Sequence, residues 1–102
     1  MTQGDIEDVA HLEQVSSAEP WSKDLFRKEL SSPLSVNLVA DDGGLICGYL
    51  VFWIVADEVH IQNIAVIENL RRRGIAVKLL TEMHFIAKTK NACTATLEVR
   101  RS

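Results

Sequence analysis

The chain has 102 residues, 47% of them hydrophobic and 25% charged, which fits one domain able to bury a core without metal or disulfide staples. Its formal net charge of -3 gives no general attraction to nucleic acid or to an anionic membrane. The longest apolar stretch, Tyr49–Ala56, is far too short to span a bilayer. Cys47 and Cys93 have no metal-type spacing and read as buried, reduced thiols. The segment Met1–Asp5 has neither a basic region nor an apolar run, so no signal peptide is expected and the location expected is cytoplasmic.

Residues Asp5–Val15 predict a helix, with Ile6, Val9, Ala10 and Leu12 on or near one face and Glu7, Asp8, Glu13 and Gln14 mostly elsewhere. Glu19-Pro20 breaks that pattern, because a residue before proline avoids helical angles. Ser22 is placed as the N-cap of a second helix running to Leu30, whose apolar side comprises Trp21, Leu25, Phe26 and Leu30. Ser31-Ser32-Pro33 ends it.

Ser35–Ala40 predicts a short strand. Asp41-Asp42-Gly43-Gly44 predicts a hairpin turn, since glycine tolerates the positive φ that tight turns need. Leu45–Val55 is rich in β-branched and aromatic residues and predicts a long strand. Ala56-Asp57 is a second tight connection, and Glu58–Val66 a third strand, giving an antiparallel meander. From Ile75 to about Lys88 the period becomes helical, with Ile75, Leu79, Met83 and Ile86 in line. Cys93–Val99 predicts a last strand. Strand, helix and strand with a short return make a right-handed crossover, so this strand should run parallel to Glu58–Val66.

The informative segment is Arg71-Arg72-Arg73-Gly74-Ile75-Ala76, between a strand and the first turn of a helix. The first N–H groups of a helix lack intrahelical partners and lie at the positive end of its dipole. A loop around such an end presents several donors to a phosphate. Small residues at Gly74 and Ala76 let phosphate oxygens approach the backbone, and arginines add charge-assisted contacts. The ligand class expected is a di- or polyphosphate. By itself the arginine run also fits a solvated face or a nucleic-acid patch, and the negative net charge argues against the latter. The histidines His11, His60 and His84 share no spacing that suggests a metal site, and none is expected.

Asn63-Ile64-Ala65-Val66, followed after four residues by Arg71-x-x-Gly74-x-Ala76, closely resembles the signature of GNAT acetyltransferases. Together with Pro20-Trp21-Ser22 and Leu97-Glu98-Val99-Arg100, the chain looks like a RimI-type ribosomal-protein N-terminal alanine acetyltransferase. The resemblance implies a single α/β domain over 1–102 with a GNAT-like mixed sheet: an antiparallel meander, then a β-α-β cofactor-binding unit. It implies acetyl-CoA as cosubstrate and a peptide or protein N-terminus, such as that of a ribosomal protein, as acceptor. Ile64, Ala65 and Val66 would meet the pantetheine arm, Arg71, Arg72, Arg73, Gly74, Ile75 and Ala76 the pyrophosphate, and Glu98 would be the general base. An α-amine, with a pKa of about 7.7–8.0, suits a modest carboxylate base better than a lysine amine at about 10.4, whose deprotonation at neutral pH demands much more. In the family pattern Pro20-Trp21-Ser22 borders the peptide groove.

The chain departs from the pattern at both ends. The first strand is largely missing, and the sequence stops at Ser102, before the helix and strands that complete the family fold. Those later elements supply a tyrosine that protonates the departing thiolate, and Tyr49, far upstream, is the single tyrosine here. A second reading follows: a truncated, weakly active or inactive domain that binds CoA or associates with another chain. The last strand would then lie at an exposed edge that homodimerisation would cover.

Overall fold

The structure, a computed structural model, describes residues 1–67 and 74–89, and 94–97 as backbone. A short 3-10 turn over Gln3–Asp5 leads into α1 (Ile6–Ser16), and α2 spans Lys23–Ser31. The sheet strands are β1 (Ser35–Asp42), β2 (Leu45–Val55), β3 (Glu58–Val66) and β4 (Thr94–Leu97), with α3 (Ile75–Thr89) between the last two. Sheet order is β1-β2-β3-β4. The first three strands form the expected antiparallel meander. β4 runs parallel to β3, pairing Glu58 with Thr94 through Ile61 with Leu97.

Local chemistry explains the boundaries. The Asp5 carboxylate accepts from the Thr2 N–H at 2.8 Å, fixing the entry to α1. Ser22 Oγ accepts from the Leu25 N–H at 3.1 Å, the N-cap bond expected for α2. Gly43 and Gly44 have φ of 63° and 94°, the paired left-handed conformation of a two-residue hairpin loop. β1 continues through Asp42, two residues past its expected end, because Asp41 and Asp42 still pair with Ile46 and Leu45.

The sheet separates two apolar layers. On one face, α3 sets Ile75, Leu79, Met83 and Ala87 against Leu50, Phe52, Val59, Ile61 and Val66. Ala87, rather than Ile86, is the fully buried residue of the last helical turn, and Ile86 is half-buried beside it. On the other face, α1 and α2 set Ile6, Val9, Leu12 and Phe26 against Tyr49, Val51 and Ala65. Trp21 packs tilted against Phe26, and Phe26 meets Tyr49 edge to face, with ring centroids 5.2 and 5.6 Å apart. Trp21 and Phe26 are thus core residues.

Two β-bulges decide which residues enter which layer. One leaves Cys47 of β2 as the extra residue between the Ala40–Gly48 and Asp41–Ile46 pairs. The other leaves Gln62 of β3 extra between the Val51–Asn63 and Phe52–Ile61 pairs. A bulge reverses the alternation of side chains along a strand. Before Gln62, Val59 and Ile61 face α3; after it, Ile64 and Val66 do, while Asn63 and Ala65 turn toward α1 and α2.

Two glutamates are buried, each on the apolar side of its helix: Glu13 lies seven residues after Ile6, and Glu29 follows Leu25 by four residues and Phe26 by three. Glu13 is 1% exposed. Its Oε2 accepts from the Trp21 N–H at 2.9 Å, and its Oε1 accepts from the Tyr49 hydroxyl. Glu29 ties α2 to the sheet by accepting from Trp53 Nε1 at 2.6 Å and Ser35 Oγ at 3.0 Å. Each carboxylate replaces its water shell with protein donors, as a buried charge requires.

Candidate functional site

The end of β3 and the start of α3 come together over Gly48 of β2. A Cβ at Gly48 would lie 3.1 Å from the Ala65 carbonyl oxygen, 3.2 Å from Ile75 Cγ2 and 3.3 Å from Val66 Cγ2. A side chain there would push apart the strand end and the helix start, so glycine is needed for their approach. The Ile67 N–H donates to the Cys47 carbonyl at 2.8 Å and carries the β2–β3 ladder past the end of the strand.

Gly74 precedes α3 with φ of 73°, the left-handed region that glycine enters without penalty. Among the described residues, none lies within 4 Å of where its side chain would begin. The Gly74 carbonyl accepts from the Lys78 N–H at 3.0 Å, so the helical bonding begins at this residue. The first N–H groups of the 15-residue α3 therefore lie beside Gly74 without intrahelical acceptors. The described part of the loop thus has a left-handed glycine followed by the unpaired N–H donors of a helix start, two features of a phosphate site.

The sequence-predicted residues fall into two groups. Ile64, Ala65 and Val66 form the end of β3, with Ala65 and Val66 buried and Ile64 half-buried. Ile75 is packed in the α3 layer, and Ala76 is half-buried against it. Gly74, Ile75 and Ala76 are thus next to the strand end bearing Val66, with Gly48 beneath. Arg71, Arg72, Arg73 and Glu98 lie outside the described residues, as does Cys93. Glu98 directly follows Leu97, whose described partner on β3 is Ile61.

The sequence reading missed Gly48, Glu13, Tyr49 and Asn63. A glycine inside an otherwise bulky strand signals close backbone approach, and that was the available clue for Gly48. The clue to Asn63 was the change of apolar parity from Val59 and Ile61 to Ile64 and Val66. Burial holds the Tyr49 hydroxyl far above the usual phenol range, with the hydrogen bond and charge of Glu13 acting in the same direction. Cys47 is buried, and its thiol is raised first by that burial and then by Asp42.

A cleft of about 470 Å³ lies between β1 and α3 and touches Ile75, but Asp41, Asp42 and Glu82 make its rim acidic. Lys78 is the cation of its described lining. Among the described residues no group of three His, Cys, Asp or Glu side chains converges as a metal site. No helix among them is long and apolar enough to cross a membrane.

Comparison with known proteins agrees with this geometry. A Bacillus subtilis protein is 36% identical over 99 residues, which cover 96% of this chain and 66% of that protein. The Salmonella typhimurium protein named ribosomal protein bS18-alanine N-acetyltransferase is 33% identical over 99 residues, with the same coverage. The crystal structure of the ribosomal-protein-S18-alanine N-acetyltransferase from Escherichia coli superposes with a TM-score of 0.85 at 25% identity, over 95% of this chain and 62% of that one. The chain therefore spans just under two thirds of the length of these relatives. The sequence profile of the Acetyltransferase (GNAT) family matches residues 6–102, and on that match, with the mixed sheet and the β3–α3 junction over Gly48, the chain belongs to the GNAT acetyltransferase family.

Proposed function

We propose that this chain carries the acetyl-CoA binding half of an N-acetyltransferase whose acceptor is a peptide or protein N-terminal α-amine, of the ribosomal-protein alanine type. The observation that carries the proposal is the junction of β3 and α3, where the left-handed Gly74 meets the strand end Ile64–Val66 over Gly48. The acceptor class is supported by the names of the Salmonella and Escherichia coli relatives.

In this reading the pyrophosphate is held by the α3 N-terminus with Arg71, Arg72 and Arg73, and the pantetheine arm follows Ile64, Ala65 and Val66. The amine nitrogen attacks the thioester carbonyl carbon, the C–S bond breaks, and the thiolate leaves as coenzyme A. Glu98 takes the proton that the amine loses, through a water molecule. The alternative reading is a domain that binds CoA without turnover or associates with another chain.

The test is calorimetric titration of acetyl-CoA into the 102-residue chain and into an Arg73→Glu, Gly74→Glu double variant. Saturable binding that the variant abolishes is the expected result. Absence of binding by a chain whose circular dichroism and cooperative melt show it folded would refute the cofactor assignment. If binding holds, an acetylation assay with an Ala-initiated peptide separates a working enzyme from a domain that only binds CoA.

A further inference from the structure

Asn63 is the first residue of β3 after the Gln62 bulge and the last before the strand end Ile64–Val66. Its side chain is fully buried. It stands opposite Val51 on the α1–α2 face, and Tyr49 is its diagonal neighbour on β2, a separation that an aromatic side chain spans. The Tyr49 hydroxyl donates its proton to Glu13 Oε1 and so has lone pairs left to accept. The Asn63 amide lies in hydrogen-bonding reach of that oxygen, as a donor. Beyond this contact neither Oδ1 nor Nδ2 of Asn63 meets a partner among the described residues. One polar chain thus runs from the Asn63 amide through Tyr49 to Glu13, whose other oxygen holds the Trp21 N–H at 2.9 Å.

That chain exists in one register only. Without the extra residue at Gln62, the side chains that follow it would each turn to the opposite face of the sheet. Asn63 would then enter the α3 layer of Leu50, Phe52, Leu79 and Met83, away from Tyr49. A buried amide with no acceptor is costly, so an apolar layer rejects it. A valine at this position would suit either layer, since both are apolar. The polarity of Asn63 therefore selects the bulged pairing. Alternate residues of a strand also turn their N–H and C=O groups to opposite edges. The bulge thus decides which backbone groups of Ile64, Ala65 and Val66 face β2 and which face the other edge.

We infer that Asn63 is a positioning residue for cofactor binding: by donating to Tyr49 it holds the bulge at Gln62, and so sets how the strand end Ile64–Val66 is presented to the pantetheine arm. The inference rests on the acetyl-CoA reading proposed above, which assigns the arm to this strand end and the pyrophosphate to the start of α3. Asn63 acts through the strand, because its own side chain is enclosed between the sheet and the α1–α2 layer. Its effect falls on the pantetheine half of the ligand and spares the pyrophosphate half.

The test is calorimetric titration of the 102-residue chain, and of its Asn63→Val and Tyr49→Phe variants, with acetyl-CoA and with 3′-phospho-ADP, which carries the pyrophosphate but no pantetheine arm. In both variants acetyl-CoA should bind about three- to tenfold more weakly, the factor that loss of one hydrogen bond gives, while 3′-phospho-ADP binds as it does to wild type. Asn63→Val should add little in the Tyr49→Phe background, where the contact is already gone. Tyr49→Phe keeps the buried ring and supplies the measurement if Asn63→Val does not fold. Equal weakening of both ligands in a folded variant would reveal a general loss of structure and overturn the inference. So would an acetyl-CoA affinity unchanged in either folded variant. A folded wild-type chain that binds neither ligand would refute the acetyl-CoA reading itself, and the inference with it, a result distinct from both of these.

Discussion

Replacing Tyr49 by phenylalanine removes a buried hydroxyl and with it the hydrogen bond to Glu13. The ring keeps its place between Phe26 and the sheet, so no cavity forms. What is lost is the hydroxyl that donates to Glu13 Oε1, in a pocket where Glu13 is 1% exposed. Among the described residues Glu13 then retains one donor, the Trp21 N–H at 2.9 Å. Removing a hydrogen bond to a buried charged group costs about 1.5–3 kcal/mol. Unfolding entropy of about 2.1 cal/mol/K per residue amounts to roughly 0.2 kcal/mol/K for a chain of this length. The expected fall in melting midpoint is therefore roughly 10 °C, with the urea m-value unchanged. Combining Tyr49→Phe with Glu13→Leu should destabilise by about 1–3 kcal/mol less than the sum of the single changes, because the double variant strands no carboxylate. A midpoint shift below about 2 °C, or additive single changes, would refute the assignment of this pair as a coupled buried contact.

Gly48→Val should weaken acetyl-CoA binding in the titration above and lower stability by about 1–3 kcal/mol, since even its Cβ would crowd Ala65, Val66 and Ile75 together; binding equal to wild type would show that the β3–α3 junction does not depend on this approach. Tyr49 and Cys47 keep their protons in the folded chain because both are raised, first by burial, above the 10.0 and 9.0 of unburied groups. The folded state then binds more protons than the unfolded state at alkaline pH, so their contribution is full below pH 9.0 and is lost as pH rises past 9.0 and 10.0. Urea midpoints measured from neutral to strongly alkaline pH should fall over that window, and the fall should be shallower in Tyr49→Phe.

Much of the architecture was legible in the chain because its causes are local. The 3.6 period of Ile75, Leu79 and Met83 marks α3, and Ser22 marks the start of α2 by the bond its hydroxyl accepts. The Gly43-Gly44 pair fixes a hairpin by its left-handed backbone. The candidate cofactor loop was legible for the same reason, since Gly74 before a helical period is a local pattern.

The features that distinguish this sheet depend instead on residues far apart in the chain. Glu13 falls on the apolar side of its helix by its spacing from Ile6, but what its buried carboxylate bonds there is set by Tyr49, 36 residues away, and by the Trp21 backbone. A helical wheel contains neither partner. The bulges at Cys47 and Gln62 arise from how two strands pair, and they reverse the facing of every residue beyond them. Gly48 is needed only because α3 returns to rest on the end of β3. Hydrophobic periodicity, turn glycines and caps act within a few residues and are written in the sequence. Register, the burial of charge and the meeting of strand end with helix start come from contacts that exist only once the chain has folded.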